Sequence, residues 1–212
     1  MVKKYYAVVS GKKPGIYTDF ETTKNMVDGF SGAIYKVFPT KSKAEAFISN
    51  SKFITKEELI KYDFQNNIQR TVIYTDGSFE GKDAGFGVVI VENDGHKITA
   101  HGHVPDTLHQ TNITGELYAI YVALSLIRDN VIIYTDSQNS INCLTIGIHN
   151  LIKYGFCNLE NKTIIQAIYL LINDRDVRFF YVKAHDGNEL NIEADRLANI
   201  GRLGTDTLII LN

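Results

Sequence analysis

Four carboxylates lie in four separate short motifs of this chain, and together they could hold two divalent metal ions. Asp76 lies in IYTDGS, Glu116 in TNITGEL, Asp136 in IIYTDS and Asp195 in HDGNELNIEADRLA. Asp76 and Asp136 each follow a run of apolar and β-branched residues, where an acid is costly unless a cation meets it. Magnesium is usually held by one or two carboxylates and phosphate oxygens, and two ions about 4 Å apart act on both oxygens of an in-line displacement. The pattern therefore predicts a two-metal phosphoryl-transfer site.

The elements that must position these acids form a mixed α/β pattern from residue 70 onward. Strands are predicted at 70–76, 84–92, 96–104, 130–135 and 177–183, with a helix at 112–127 and a last helix beginning near Asn191. Helix 112–127 has Leu117, Ile120 and Leu124 at helical spacing, so it should pack on the sheet beside Glu116. Strand 130–135 is nearly all apolar, as expected of a central strand covered on both faces. The last helix would bring Asp195 to the strand-end acids.

The first 50 residues predict a separate small module. Strands at 5–9, 16–20 and 33–38 and helices at 21–28 and 42–49 are indicated, with a Gly-Lys-Lys-Pro-Gly turn after the first strand. We interpret residues 51–69 as a connector in which 56–62 form one or two helical turns. Residues 70–204 would then be the main domain and residues 205–212 a C-terminal tail.

The module is the basic part of the chain. Residues 1–50 contain eight lysines and four acids, whereas residues 51–212 contain 14 basic and 20 acidic residues. A basic patch interleaved with aromatic residues is what a phosphate backbone requires. A solvated lysine-rich surface would explain the same charge equally well.

Composition limits the remaining classes. The chain is 44% hydrophobic, with three prolines, so it has the apolar content for a core. It has neither an apolar run of 18 residues nor a charged-then-apolar leader, so we expect a cytoplasmic protein without a membrane span. Cys143 and Cys157 have the spacing of neither a disulfide framework nor a zinc site. No heptad pattern suggests a dimer, so we expect a monomer.

Residues 70 to about 204 resemble the catalytic domain of type 1 ribonuclease H. TDGS, the Glu116 helix, TDSQ and H-x-G-x(3)-N-x(3)-D occur in the order of that family. Residues 5–17 and 29–38 resemble the hybrid-binding domain that precedes it in many members. The resemblance implies a five-stranded mixed sheet flanked by helices. A small α+β domain, with a three-stranded antiparallel sheet and two short helices, would precede it.

The resemblance also implies an activity. This is hydrolysis of the RNA strand of an RNA/DNA hybrid to 5′-phosphate and 3′-hydroxyl ends, with two Mg²⁺ ions, or Mn²⁺ in their place. By resemblance, Asp76 contacts both ions, Glu116 and Asp136 hold the ion that activates water, and Asp195 holds the ion facing the leaving 3′ oxygen. His185, in a glycine-containing loop, is implied to assist proton transfer or product release.

Nucleic-acid contacts are implied in both parts of the chain. In the catalytic part they are Gly77, Thr111, Asn112 and Gln138, and in the N-terminal module they are Tyr6, Lys12, Lys13, Phe20, Tyr35 and Lys36. Thr111 matches a pocket for a DNA phosphate, and Asn112 would serve equally as a helix N-cap.

Several residues depart from the family pattern. Phe20 replaces a more usual tryptophan, which predicts weaker stacking, and Ile113 and Ile192 replace polar residues. Some members carry a basic protrusion at residues 139–159, where this chain has only Lys153. The N-terminal module is therefore expected to supply hybrid affinity and processivity.

Two other function classes are compatible with the residues. One is a hybrid-binding protein without catalysis. The other is a different nuclease of similar fold, such as a resolvase, an integrase-like enzyme or a domain of a reverse transcriptase. Strict dependence on RNA within a hybrid, and inactivity on four-way DNA junctions, would discriminate between them.

Overall fold

A computed structural model describes most of the chain as two compact units, residues 1–64 and 65–212. The described residues are 4–28, 34–50, 56–148, 160–173, 175–184, 186–204 and 208–211. Among the helices in these ranges, none combines the length and the apolar character needed to cross a bilayer.

The N-terminal unit is built on a three-stranded antiparallel sheet in the order β2-β1-β3. Its elements are β1 Tyr5–Ser10, β2 Gly15–Tyr17, α1 Phe20–Val27, β3 Ile34–Phe38 and α2 Lys41–Asn50. The Asp19 side chain caps α1 by accepting a hydrogen bond from the Thr22 backbone N–H at 2.7 Å. Ala7, Val8 and Ala44 are fully buried, so the unit has a small core of its own. The predicted three strands and two helices are confirmed.

The segment interpreted as a connector is mainly helical. Helix α3 covers Lys56–Asn66, about three turns rather than the predicted one or two. Glu57 and Glu58 lie in its first turn, where their negative charges interact favourably with the positive end of the helix dipole. Leu59 is 1% exposed. The predicted helix was too short because Leu59 is the one buried residue among the described residues of α3, so the sequence shows no apolar stripe at helical spacing.

The C-terminal unit contains a six-stranded mixed sheet in the order β8-β7-β4-β5-β6-β9. The strands are β4 Thr71–Glu80, β5 Asp83–Val91, β6 Lys97–His103, β7 Val131–Thr135, β8 Val177–Tyr181 and β9 Leu208–Leu211. The helices are α4 Asn112–Leu126, α5 Gln138–Asn142, α6 Lys162–Ile172 and α7 Glu189–Leu203. The β4–β7 and β7–β8 pairs are parallel, and the other pairs are antiparallel.

The sixth strand corrects the prediction of a C-terminal tail. Leu208–Leu211 pairs antiparallel with β6, and Ile98 aligns with Leu211. An exposed sheet edge presents unpaired backbone groups, and a short apolar segment that returns to it satisfies them. The five expected strands are all present, and β9 extends their sheet.

Helices cover the two faces of this sheet unequally. Helices α4 and α6 pack on one face over a large apolar cluster that includes Ile73, Phe86 and Ile133. Helix α7 packs on the other face, mainly against β4, β5 and β6. Strand β7 is therefore buried on one face only, and Ile132 and Tyr134 are half-buried, which corrects the expectation of full cover.

Candidate active site

Two of the four acids meet at the carboxyl end of a parallel strand pair. Thr75 of β4 aligns with Thr135 of β7, so Asp76 and Asp136 follow at the same level. Strand β7 ends at Thr135, whereas β4 continues beside β5. In open α/β sheets, ligands bind outside the carboxyl ends of the strands. The prediction that these strand ends share one site agrees with this geometry.

Glu116 reaches the strand-end acids through a close approach of α4 to β4. A Cβ added at Gly77 would lie 2.4 Å from the Glu116 backbone nitrogen, and one at Gly115 would lie 2.7 Å from the Gly85 carbonyl oxygen. Real side chains do not tolerate such distances, so glycine is required at both positions. The resulting backbone contact holds Glu116 beside Asp76.

Asp76, Glu116 and Asp136 form a compact carboxylate cluster. Each offers one oxygen, and these three oxygens all lie within 4.8 Å of one another. Asp76 is 6% exposed and Glu116 is 4% exposed. The Gly77 backbone N–H donates to Asp76 Oδ1 at 2.8 Å, and the Thr135 hydroxyl donates to Glu116 Oε2 at 3.5 Å.

These few donors do not compensate the buried negative charge. Burial raises the pKa of Asp76 to about 8, and the charges of Asp136 and Asp195 contribute to the shift. Burial also raises the pKa of Glu116, and the negative charges of Asp76 and Asp136 raise it further. Oxygen ligands with uncompensated charge suit a hard divalent cation such as Mg²⁺. The cluster therefore fits a metal site.

Asp195 lies in the same cleft but outside this cluster. Helix α7 carries it, and that helix packs backbone against backbone on β5. A Cβ at Gly87 would lie 2.1 Å from the Ala194 carbonyl oxygen, and one at Gly85 would lie 2.2 Å from the Arg202 backbone nitrogen. Asp195 is close enough to Asp76 for its charge to raise the Asp76 pKa. All four predicted acids thus line one cleft of about 470 Å³.

Three of the four nucleic-acid contacts predicted for this unit also line the cleft, namely Gly77, Asn112 and Gln138. Thr111 does not. Its hydroxyl caps α4 by accepting a hydrogen bond from the Thr114 backbone N–H at 3.2 Å. The alternative interpretation of Asn112 as the N-cap was therefore wrong, because the helix begins one residue after its cap, at Asn112 itself.

The sequence interpretation missed Asn191 as a candidate site residue. Asn191 is 3% exposed and lines the cleft, and its Oδ1 has no hydrogen-bond donor among the residues that the structure describes. A buried amide oxygen without a donor is uncommon. The available signal was its place as the asparagine of the H-x-G-x(3)-N-x(3)-D motif, four residues before Asp195 and therefore on the same helix face. His185 lies outside the described residues, so its role stays a prediction.

The N-terminal unit presents an aromatic surface, defined here by Tyr6, Phe20 and Tyr35. The ring centroids of Tyr6 and Phe20 are 6.0 Å apart, and the two most exposed members, Phe20 and Tyr35, are 50% and 44% exposed. Lys12 and Lys13 are exposed in the turn between β1 and β2. Lys36 faces the opposite side of β3 from Tyr35, and its ammonium lies 5.9 Å from the ring centroids of both Phe38 and Phe47. The structure thus does not bring Lys36 onto the aromatic surface.

Comparison with known proteins matches both units to ribonuclease H sequences. The family model described as RNase H matches residues 68–202, and the one described as Ribonuclease H1 N-terminal domain matches residues 4–48. Ribonuclease H of Rickettsia canadensis is 35% identical over 145 residues, which are 64% of this chain and 91% of that protein. Ribonuclease HI of Rickettsia conorii is 34% identical over 142 residues, which are 63% of this chain and 91% of that protein.

Solved structures share the fold. The crystal structure of LC9-RNase H1 aligns with a TM-score of 0.61 at 20% identity, covering 68% of this chain and 78% of that one. Prototype foamy virus protease-reverse transcriptase aligns with a TM-score of 0.55 at 20% identity, covering 65% of this chain and 21% of that one. At such identities these likenesses concern the fold alone.

Proposed function

The chain belongs to the ribonuclease H family, and we propose that it is an endonuclease that hydrolyses the RNA strand of RNA/DNA hybrids by two-metal catalysis. The family match over residues 68–202 supports the enzyme class. The single observation that carries the mechanism is the cluster of Asp76, Glu116 and Asp136, whose oxygens lie within 4.8 Å of one another. Products with 5′-phosphate and 3′-hydroxyl ends belong to this proposal.

The four acids have distinct tasks in this proposal. Divalent ions, Mg²⁺ or Mn²⁺, supply an activated water and neutralise the charge that develops on the phosphate. Asp76 interacts with each of the other three acids and would hold both ions. Glu116 and Asp136 would hold the ion on the water side, and Asp195 the ion on the side of the leaving 3′ oxygen. His185 would assist proton transfer, so its loss should slow cleavage without abolishing it.

The cleft offers groups that would distinguish RNA from DNA. Asn112 and Gln138 line it beside the acids, and their amides match the hydrogen-bonding capacity of ribose 2′-hydroxyls and base edges. The Gly77 backbone lies at the same wall. We assign these three residues to the RNA strand and Thr111 to a DNA phosphate.

The N-terminal unit would supply affinity that the acidic catalytic unit lacks. Tyr6, Phe20 and Tyr35 present rings suited to stacking on sugars, and Lys12 and Lys13 present exposed charges suited to phosphates. Lys36 would reach the hybrid only from the other face of β3, so we assign it the smallest contribution.

Cleavage of end-labelled RNA tests the function. The RNA would be paired with DNA, paired with RNA or left single, in the presence of Mg²⁺, and the native chain compared with Asp76→Asn. We expect cleavage of the hybrid alone, lost in the variant. Asp106→Asn is the matched control, because that side chain is 94% exposed and does not line the cleft.

Two results would contradict the proposal. Hybrid binding without cleavage by the native chain would leave a recognition protein. Cleavage of four-way DNA junctions would instead indicate a different nuclease built on the same fold.

A further inference from the structure

Asp195 is the acid whose side-chain orientation most requires an explanation. The glycine contacts of α7 with β5 fix the helix backbone, but they do not choose the rotamer of an aspartate on its surface. Asp195 is only half-buried, and it lies outside the group of three clustered oxygens. Something else must direct its carboxylate.

A chain of polar side chains connects Asp195 to β4. Asn199 Nδ2 donates to Asp195 Oδ1 at 3.1 Å and to the Asp195 carbonyl oxygen at 3.0 Å. The Ser78 hydroxyl donates to Asn199 Oδ1 at 2.7 Å. Arg202 Nε donates to Ser78 Oγ at 3.1 Å, and Arg202 Nη1 lies 2.7 Å from Glu80 Oε2.

The chemistry of the groups determines which one donates in each hydrogen bond between Asp195 and Arg202. The Asp195 carbonyl oxygen and carboxylate only accept, so the Asn199 NH₂ group faces Asp195 and its Oδ1 faces Ser78. A guanidinium only donates, so Ser78 Oγ accepts from Arg202 and donates its own hydrogen to Asn199 Oδ1. The Asn199 amide is thus held in the one orientation that donates to a carboxylate.

We infer that Asn199 is a positioning residue for Asp195 and that Ser78 and Arg202 hold Asn199 in place. The hydrogen bond occupies Asp195 Oδ1 and leaves Oδ2 for a metal ion. Ser78 lies two residues after Asp76 on β4, so the chain of hydrogen bonds also ties the helix of one acid to the strand of another. The inference deepens the proposed function and rests on it, because it concerns the metal site of the same reaction.

Asn199→Ala tests this role through the metal dependence. Outer-shell partners of metal ligands typically change metal affinity or activity by about 10- to 100-fold. We expect the Mg²⁺ concentration for half-maximal cleavage at saturating hybrid to rise about tenfold. The KM for the hybrid should change less than twofold, because Asn199 does not line the cleft. Ile200→Ala, an exposed neighbour on the same helix, is the matched control.

A second readout does not require activity. Binding of Mn²⁺ to the substrate-free full-length protein, followed by electron paramagnetic resonance, should weaken in Asn199→Ala and not in Ile200→Ala. Thermal unfolding of both variants would show whether α7 is intact. Unchanged metal dependence and unchanged Mn²⁺ binding in Asn199→Ala would overturn the inference.

A double-mutant cycle tests the connection to Ser78. If both residues act through one hydrogen-bonded chain, Ser78→Ala with Asn199→Ala should affect Mn²⁺ binding no more than Asn199→Ala alone. Additive effects would contradict the hydrogen-bonded connection between Ser78 and Asn199.

Asp195→Asn separates the proposed function from the positioning role of Asn199. If it abolishes cleavage while Asn199→Ala changes nothing, the proposed function stands and the positioning role fails. If the native chain does not cleave hybrids, the function fails and Mn²⁺ binding still decides the positioning role.

Discussion

At the scale of single residues, protons and metal ions compete for the same oxygens. The pKa of Asp76 is raised to about 8 by burial and by two neighbouring carboxylates, and that of Glu116 is raised for the same reasons. Below that pH Asp76 holds a proton that a metal ion must displace, so metal affinity depends on pH. The site is therefore expected to bind metal more tightly as the solution becomes more alkaline.

This competition predicts how stability changes with pH. The pKa of Asp76 is higher in the folded protein than its ordinary value of 3.8. Its contribution to the free energy of unfolding is therefore fully present below about pH 4 and is lost as pH rises through about 8. In EDTA the melting temperature should fall from pH 5 to 9. Added Mg²⁺ should raise it most at the alkaline end. A metal-induced shift that is equal at pH 5 and pH 9 would contradict this linkage.

The same repulsion predicts that Asp76→Asn stabilises the metal-free protein while abolishing cleavage. Removing one charge from a buried carboxylate group should contribute about 1 to 3 kcal/mol at pH 8. For a unit of this size that corresponds to roughly 2 to 12 °C in melting temperature. Calorimetry in EDTA would measure it, with Asp106→Asn as the exposed control. If Asp76→Asn instead lowers the melting temperature, the Asp76 carboxylate makes favourable contacts that outweigh its repulsion by the neighbouring acids.

Asn191 predicts a similar opposition between stability and function. Its buried Oδ1 lacks a donor among the described residues, and such an acceptor costs about 1 to 3 kcal/mol. Asn191→Leu should therefore leave the substrate-free protein equally or more stable, by up to about 1 kcal/mol. Its turnover should fall if Oδ1 accepts from a substrate hydroxyl or a bound water. Urea denaturation and cleavage assays on the same preparation would measure both. Loss of stability together with activity would indicate a purely structural residue.

At the scale of elements, glycine contacts bring the two helices with acids onto the sheet. Gly77 and Gly115 allow α4 to approach β4, and Gly85 and Gly87 allow α7 to approach β5. No β-carbon fits between these backbones, so the helices lie closer than side-chain packing would permit. The separation between the acids follows from this approach.

Gly77→Ala tests that view. Its Cβ would meet the Glu116 backbone nitrogen at 2.4 Å, so α4 must shift away from β4. We expect a loss of about 1 to 3 kcal/mol in unfolding free energy together with a fall in turnover. Gly204→Ala is the control, because its φ is −98° and its nearest neighbour would lie at 3.7 Å. A raised hybrid KM with unchanged stability would instead support a role for Gly77 in contacting the RNA strand alone.

At the scale of the whole molecule, charge is divided between the two units. The basic front end and the acidic remainder suit a division between binding and catalysis. The C-terminal unit has its own sheet and a large core. The two tasks are therefore separable by experiment.

Deletion of residues 1–50 should raise the KM for long hybrids more than it lowers turnover, and should make consecutive cuts less processive. The full-length protein should also lose affinity more steeply with salt, because each neutralised phosphate contributes about 0.7 to 0.9 to the logarithmic slope. Phe20→Ala in the full chain should raise KM with little change of slope, since a ring carries no charge. Identical salt slopes for the full and truncated chains would show that the N-terminal unit does not contact the nucleic acid.

The sequence by itself determined the four acids, the order of the elements and the likeness to ribonuclease H. These depend on local patterns: an acid after an apolar strand, a helical stripe beside Glu116, and motifs in a recognisable order. Such patterns are carried by consecutive residues, so they are readable without coordinates.

Only the tertiary structure decided which residues meet. Asn191 was a motif position without an assigned role, and Asn199 an ordinary polar position, until α7 was placed on β5. Leu208–Leu211 forms a strand because it pairs with the edge of β6. The full length of α3 could be recognised only once Leu59 was seen to be buried. The pairing of β1 with β3 put Tyr35, rather than its neighbour Lys36, on the same face as Tyr6. The physical reason is that burial, hydrogen-bond partners and pKa shifts arise from elements far apart in the chain, which local spacing does not encode.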